Sequence, residues 1–217
     1  MMRALWRDLL VHVGLFGVLV VGAPAWASAQ WDQVTEVEGM QVARRLLPET
    51  GRYEVRVSTA APFPPQVIFE TLWRHHEYPD FVPYLKHLTI LKQAPNEKVI
   101  YEQIRMPLVR DRDYTVKVTA ERDPATGRMQ ITFVSAPEDG PPVQEGYVRV
   151  TAIHGSWTLV PTRDGGTLVT YVVSSDPGGA LPAWLVNRAQ RQAAPALVKA
   201  MLDRVKYNLA HIAERRQ

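Results

Sequence analysis

The 217-residue chain has no cysteine. That excludes disulfides, thiolate metal sites, a cysteine nucleophile and a lipid-modified cysteine. A G-x-S-x-G nucleophile motif is also missing. Charge of one sign is in short supply: 25 Lys and Arg stand against 22 Asp and Glu, a net of +3. Without a dense basic stripe interleaved with aromatics, nucleic acid is not an expected partner. The one basic cluster, Glu214-Arg215-Arg216-Gln217, reads as a solvated helix end favoured by the helix dipole. The apolar run from Leu9 to Val21 is 13 residues and contains His12. It falls short of the roughly 20 residues that span a bilayer.

What is present at the N-terminus has the order of an export signal. Arg3 and Arg7 precede the apolar run, Pro24 follows it, and Ala27-Ser28-Ala29 precedes Gln30. A single uncleaved anchor is the rival, disfavoured by the run's length. The expectation is a signal peptide over residues 1–29, cleavage near Ala29/Gln30, and a periplasmic or secreted protein of residues 30–217. Such a chain forms one domain, since this length buries about 70% of its unfolded surface. Without disulfides, packing alone must stabilise it.

Periodicity then sorts the remainder. Met40, Val42 and Leu46 fit strand or helix, with Gly39 and Pro48 favouring strand. Tyr53, Val55, Val57 and Thr59 alternate with Glu54, Arg56 and Ser58, a half-buried strand. Pro65 opens a helix with Val67, Ile68, Phe69 and Leu72 on its apolar stripe. Strands follow over 88–93, 99–106, 113–121 and 129–135, joined by turns too short for a parallel crossover. Ser135 to Gly146, rich in proline and glycine, is a candidate mobile loop over one end of the sheet. Strands over 147–154, 156–160 and 167–174 complete it. A helix from near Pro182 to about Glu214 closes the chain, with Val198, Met201, Leu202, Val205, Leu209 and Ile212 on one face. Pro195 predicts a kink, a shortened first portion or two segments.

These pieces, taken in order, resemble a known family. The Pro-led helix, the meander, Arg112-Asp113-Tyr114, Gly155-x-Trp157-x-Leu159-x-Pro161, Thr170-Tyr171, Asp176-Pro177-Gly178-Gly179 and Leu181-Pro182-x-Trp184-x-x-Asn187 are similar to the START lipid-transfer family of the helix-grip superfamily, over roughly Trp31 to Val205. The resemblance implies an α+β helix-grip fold: a curved antiparallel sheet wrapped around a long C-terminal helix, with an internal hydrophobic cavity. That cavity would be roofed by the helix and gated by the loop Ser135–Gly146. It implies a sterol, phospholipid, sphingolipid or other apolar ligand, and neither metal, cofactor nor catalytic triad. Sterol-binding members pair an acidic and a basic residue inside the tunnel. Glu102 matches the acid, whereas Val118 stands where the base belongs.

The candidate ligand-binding residues are Glu102, Ile104, Val116, Val118, Phe133, Val150, Trp157, Leu159, Tyr171, Trp184, Arg188 and Met201. Glu102 shares a strand face with Ile100 and Ile104, so it either points inward with a raised pKa or lies solvated. Trp157, Tyr171 and Trp184 serve as core or as cavity wall. Arg188 either reaches an anionic head group or is a solvated helix position. Arg112 and Asp113 read as a structural pair more readily than as ligand contacts. His75-His76-Glu77 reads as a solvated helix end, because adjacent helical side chains diverge by about 100° and no third metal ligand is spaced with them.

The function these readings favour is a non-enzymatic carrier of a lipid or other hydrophobic molecule, compatible with passing membrane contact. A cyclase or aromatase on the same fold is the alternative, and an adaptor with a vestigial cavity is a third. Oligomeric state is not legible.

Overall fold

The computed structural model describes residues 31–107 and 109–214. The expected signal segment lies outside the described residues. Three strands, β1 (Asp32–Val37), β2 (Met40–Leu47) and β3 (Arg52–Ala61), lead into α1 (Pro65–Trp73) and a 3-10 segment, His75–Asp80. A second run follows: β4 (Leu85–Ala94), β5 (Glu97–Ile104), β6 (Asp111–Arg122) and β7 (Met129–Ser135). After a short 3-10 turn at Pro137–Asp139 come β8 (Tyr147–Arg149), β9 (Ala152–Pro161), β10 (Thr167–Asp176) and α2 (Ala183–Glu214).

The strands form one sheet in the order β1-β2-β3-β10-β9-β7-β6-β5-β4. Every neighbouring pair along this path is antiparallel, as the short turns require for the hairpins among them. Residues alternate between the two faces, and the apolar set falls on one. Val42, Val57, Val118, Ile131, Trp157, Leu159 and Val169 from the sheet are buried against Ile68, Phe69 and Leu72 of α1 and Val198, Met201 and Val205 of α2. The sheet thus grips the C-terminal helix.

Four expectations need correction. β1 is an additional edge strand, with Thr35 to Val37 exposed and no buried stripe to announce it. The stretch expected as a strand over 147–154 is instead the short β8, which pairs parallel to β6 through Arg112↔Val148, and a separate β9 that continues through Gly155. α2 is one continuous helix of 32 residues with Pro195 inside it. One lost backbone hydrogen bond is outweighed by burial of Val198, Met201 and Val205 beyond it.

The fourth concerns the loop expected to gate the cavity. Residues 136–146 lie instead against the opposite, convex face. Gly140 sits so close to Thr115 that a Cβ there would be 2.0 Å from its Oγ1. Arg149 Nη2 donates to the Pro141 carbonyl at 3.0 Å, and Lys92 pairs with Asp139 at 2.5 Å. Thr115 and Asp113 alternate with the inward Tyr114 and Val116, so the loop packs on the sheet's back.

Candidate functional site

The inward face changes character along its strands. One register row, Ala120–Ile131–Trp157–Tyr171–Val57, is buried throughout. In the adjoining row, Val118–Phe133–Gly155–Val173–Val55, Phe133 and Val173 retain accessible surface although they pack on the core. Further along, the facing pair Glu102 and Tyr114 is half-open. Packing tightens toward α1 and loosens toward the β10–α2 link.

A glycine makes room for the aromatic ring at this boundary. A Cβ on Gly155 would lie 2.4 Å from Phe133 Cζ and 2.2 Å from the Val172 carbonyl oxygen. Phe133 therefore lies across β9, stacked on Tyr171 with ring centres 6.3 Å apart, and Tyr171 packs on Trp157 at 4.3 Å. The result is a continuous aromatic strip on the inward wall.

Glu102 faces this strip's open end. Its Oε2 accepts a hydrogen bond from the Tyr114 hydroxyl at 2.5 Å. Burial pushes the carboxyl up to about 7, with the Tyr114 hydrogen bond only partly offsetting it. Among the described residues no cation contributes to holding it ionised. Tyr78, Tyr114 and Tyr171 are all raised by burial first and by the Glu102 charge second, so all three hydroxyls are coupled to this carboxyl. The Tyr78 hydroxyl is already committed to the Leu72 carbonyl at 2.6 Å. Glu102, Tyr78 and Tyr114 are desolvated by burial yet keep some accessible surface.

Structural contacts account for the neighbouring charges. Arg112 is buried and donates to the carbonyls of Pro177 at 2.9 Å and Gly178 at 3.1 Å, tying β6 to the β10–α2 link. Asp113 pairs not with Arg112 but with Arg149, whose Nε and Nη2 reach its two oxygens at 2.9 and 2.8 Å. Tyr101 donates to the same carboxylate at 2.9 Å. His75 is buried rather than solvated, and burial with the Lys98 charge lowers it to about 3. Its neutral ring (Nδ1, 3.1 Å) and Lys98 Nζ (2.7 Å) both meet the Trp73 carbonyl at the end of α1. Arg204 of α2 clamps the same region through Glu77 at 3.0 Å.

A separate opening lies between the β1–β2 edge and the first half of α2. It is a cleft of about 620 Å³ floored by Val37, Val42, Pro195 and Ala196, with Thr35, Arg188 and Arg191 along it. Around it, Arg188, Arg191 and Gln192 are exposed, and among the described residues of α2 the fully buried ones begin at Ala194.

The model of the START domain matches residues 21–211. The chain belongs to the START domain family. The phosphatidylcholine transfer protein of Homo sapiens is 26% identical over 183 residues, covering 82% of this chain and 85% of that protein. The crystal structure of a STAR-related lipid transfer protein fragment from Xanthomonas axonopodis shares 26% identity at a TM-score of 0.74, covering 81% of this chain and 98% of that one. An uncharacterized protein of Pseudomonas aeruginosa is 38% identical over 101 residues, 46% of this chain and about half (49%) of its own length.

Within this START domain the sequence-derived candidates divide into groups. Glu102 and Phe133 stand on the loosely packed part of the inward face, and Ile104, half-buried, continues Glu102's side of β5 outside the core cluster. Val116, Val118, Trp157, Leu159, Tyr171 and Met201 are buried core. Val150 is buried but does not join that core; its N–H donates to the Asp113 carbonyl at 2.9 Å, beside the parallel β6–β8 pairing. Arg188 lines the lateral cleft, and the Trp184 side chain lies outside the described residues. Tyr78, Tyr114, Ile153 and Val173, partly buried and packed on the same core, are not among the sequence-derived candidates. For Tyr114 the available signal was hairpin register, which sets it opposite Glu102.

Proposed function

We propose that this START domain binds one lipid inside the grip and carries it through the aqueous space outside the cytoplasm, without chemical conversion. The polar end meets Glu102 and Tyr114, and the apolar part lies along Phe133, Ile153 and Val173. The observation that carries this reading is the carboxyl itself: an inward Glu102 whose hydrogen-bond partner is the Tyr114 hydroxyl, electrostatically coupled to Tyr78 and Tyr171 and supported by no cation among the described residues. A buried carboxyl so placed is costly until a partner arrives. A ligand end that donates a hydrogen bond or carries positive charge relieves that cost, and an anionic end adds to it. Phosphatidylcholine, for which the human relative is named, carries a quaternary ammonium that suits a carboxylate among electron-rich rings. Burying its apolar chains adds about 25 cal/mol for each Å² removed from water. Export is supported by the order of charge, apolar run and small residues over 1–29.

The test is purification from the native host without detergent, with small molecules identified by native and denaturing mass spectrometry. A stoichiometric lipid is expected, together with transfer of labelled lipid between vesicles. A protein that yields no lipid and moves none between vesicles sinks the reading. Unchanged lipid affinity in Glu102→Gln removes this residue from the site.

A further inference from the structure

We propose that the lateral cleft between β1–β2 and α2 is a second binding site, which takes the phosphate of a phospholipid on Arg188 and Arg191 and its hydrocarbon on the apolar floor. The two arginines are three positions apart, which places them on one side of the helix. Both line the cleft, and neither guanidinium makes an ion pair among the described residues. Among the described lining residues Glu38 is the one carboxylate, so two arginines against one glutamate leave the lining with a net positive charge. The Thr35 hydroxyl is directed to the Val42 carbonyl at 3.4 Å, and Gln192 is neutral. A cationic side therefore stands over a floor of Val37, Val42, Pro195 and Ala196. Val42 is 4% exposed and belongs to the central core, so the floor leads from solvent to the domain's interior wall. Arginine suits phosphate because its planar fork donates two parallel hydrogen bonds. The volume of about 620 Å³ matches a small-molecule site.

The proposal stands on the cleft alone, independent of Glu102. The full chain is titrated with a short-chain phosphatidylglycerol bearing a photoreactive acyl group and with the matching diacylglycerol, which lacks phosphate. The phospholipid is expected to bind more tightly, and R188Q/R191Q to weaken it by about tenfold or more while leaving diacylglycerol binding unchanged. Photo-adducts are expected on peptides containing Val37, Val42 and Ala196. Equal affinity for the two lipids, or an unaffected double variant, overturns the proposal. So does inorganic phosphate that binds as tightly as the phospholipid, since the floor would then be idle. Adducts confined to β6, β7 and β9 overturn the cleft and leave the interior reading standing. Cleft adducts on a protein that carries no interior lipid do the reverse.

Discussion

Replacing Glu102 with glutamine keeps an acceptor for the Tyr114 hydroxyl and removes the titration. In the fold the carboxyl is raised to about 7 from its ordinary 4.5, chiefly by burial. The folded state therefore holds a proton that the unfolded chain releases, so stability contributed by this group falls as pH rises from about 4.5 through about 7. At 1.36 kcal/mol per pH unit, the full difference is about 3 kcal/mol, lost by about pH 8. Urea denaturation of the lipid-free protein and of Glu102→Gln, at about pH 5 and about pH 8.5, reads it directly. The parent should lose about 2.5 kcal/mol more than the variant over that interval, since part of the loss has already occurred at about pH 5, and the variant should be the more stable at the alkaline end. Parallel pH profiles would refute the placement of Glu102 inside the grip. A bound cationic head group should flatten the parent's profile, because it stabilises the ionised form.

Two further substitutions probe the frame. Gly155→Ala places a methyl group 2.4 Å from Phe133 Cζ and 2.2 Å from the Val172 carbonyl oxygen. It should cost about 2 kcal/mol or more by chemical denaturation and unstack Phe133 from Tyr171, visible in near-ultraviolet circular dichroism. Asp113→Ala leaves the Arg149 guanidinium, with only 11% of its side chain exposed, without its carboxylate. It should cost about 3–5 kcal/mol and open residues 136–146 to limited proteolysis.

The alternation of β3, β5, β6, β7, β9 and β10 is legible in the sequence because a two-residue period on a half-buried sheet writes itself into hydrophobicity. The same rule puts Glu102 on the face of Ile100 and Ile104 but leaves open whether that side chain points inward. Its partner does not follow from that rule. Tyr114 lies twelve positions away and meets Glu102 only through the register of the β5–β6 hairpin. The loop after β7 is recognisable from its prolines and glycines, but those residues say that the chain turns, not which face it then covers. That choice rests on Arg149 reaching Asp113 across 36 positions. His75 looks solvated by its polar neighbours, yet Trp73 and Tyr78 pack on its ring, with centres 5.7 and 4.8 Å away. β1 went unread because an exposed edge strand carries no apolar stripe.

The central join of the sheet has a consequence for how the molecule is made. β3 pairs with β10, so Ala61 must find Thr167, and Arg52 binds Asp176 from 124 positions away. Nothing synthesised before residue 167 can complete that seam. Until the last strand emerges the ribosome holds two unjoined half-sheets, and closure waits on a long-range search that makes such topologies slow to fold. A nascent chain of this topology therefore reaches its native form only at the very end of its synthesis.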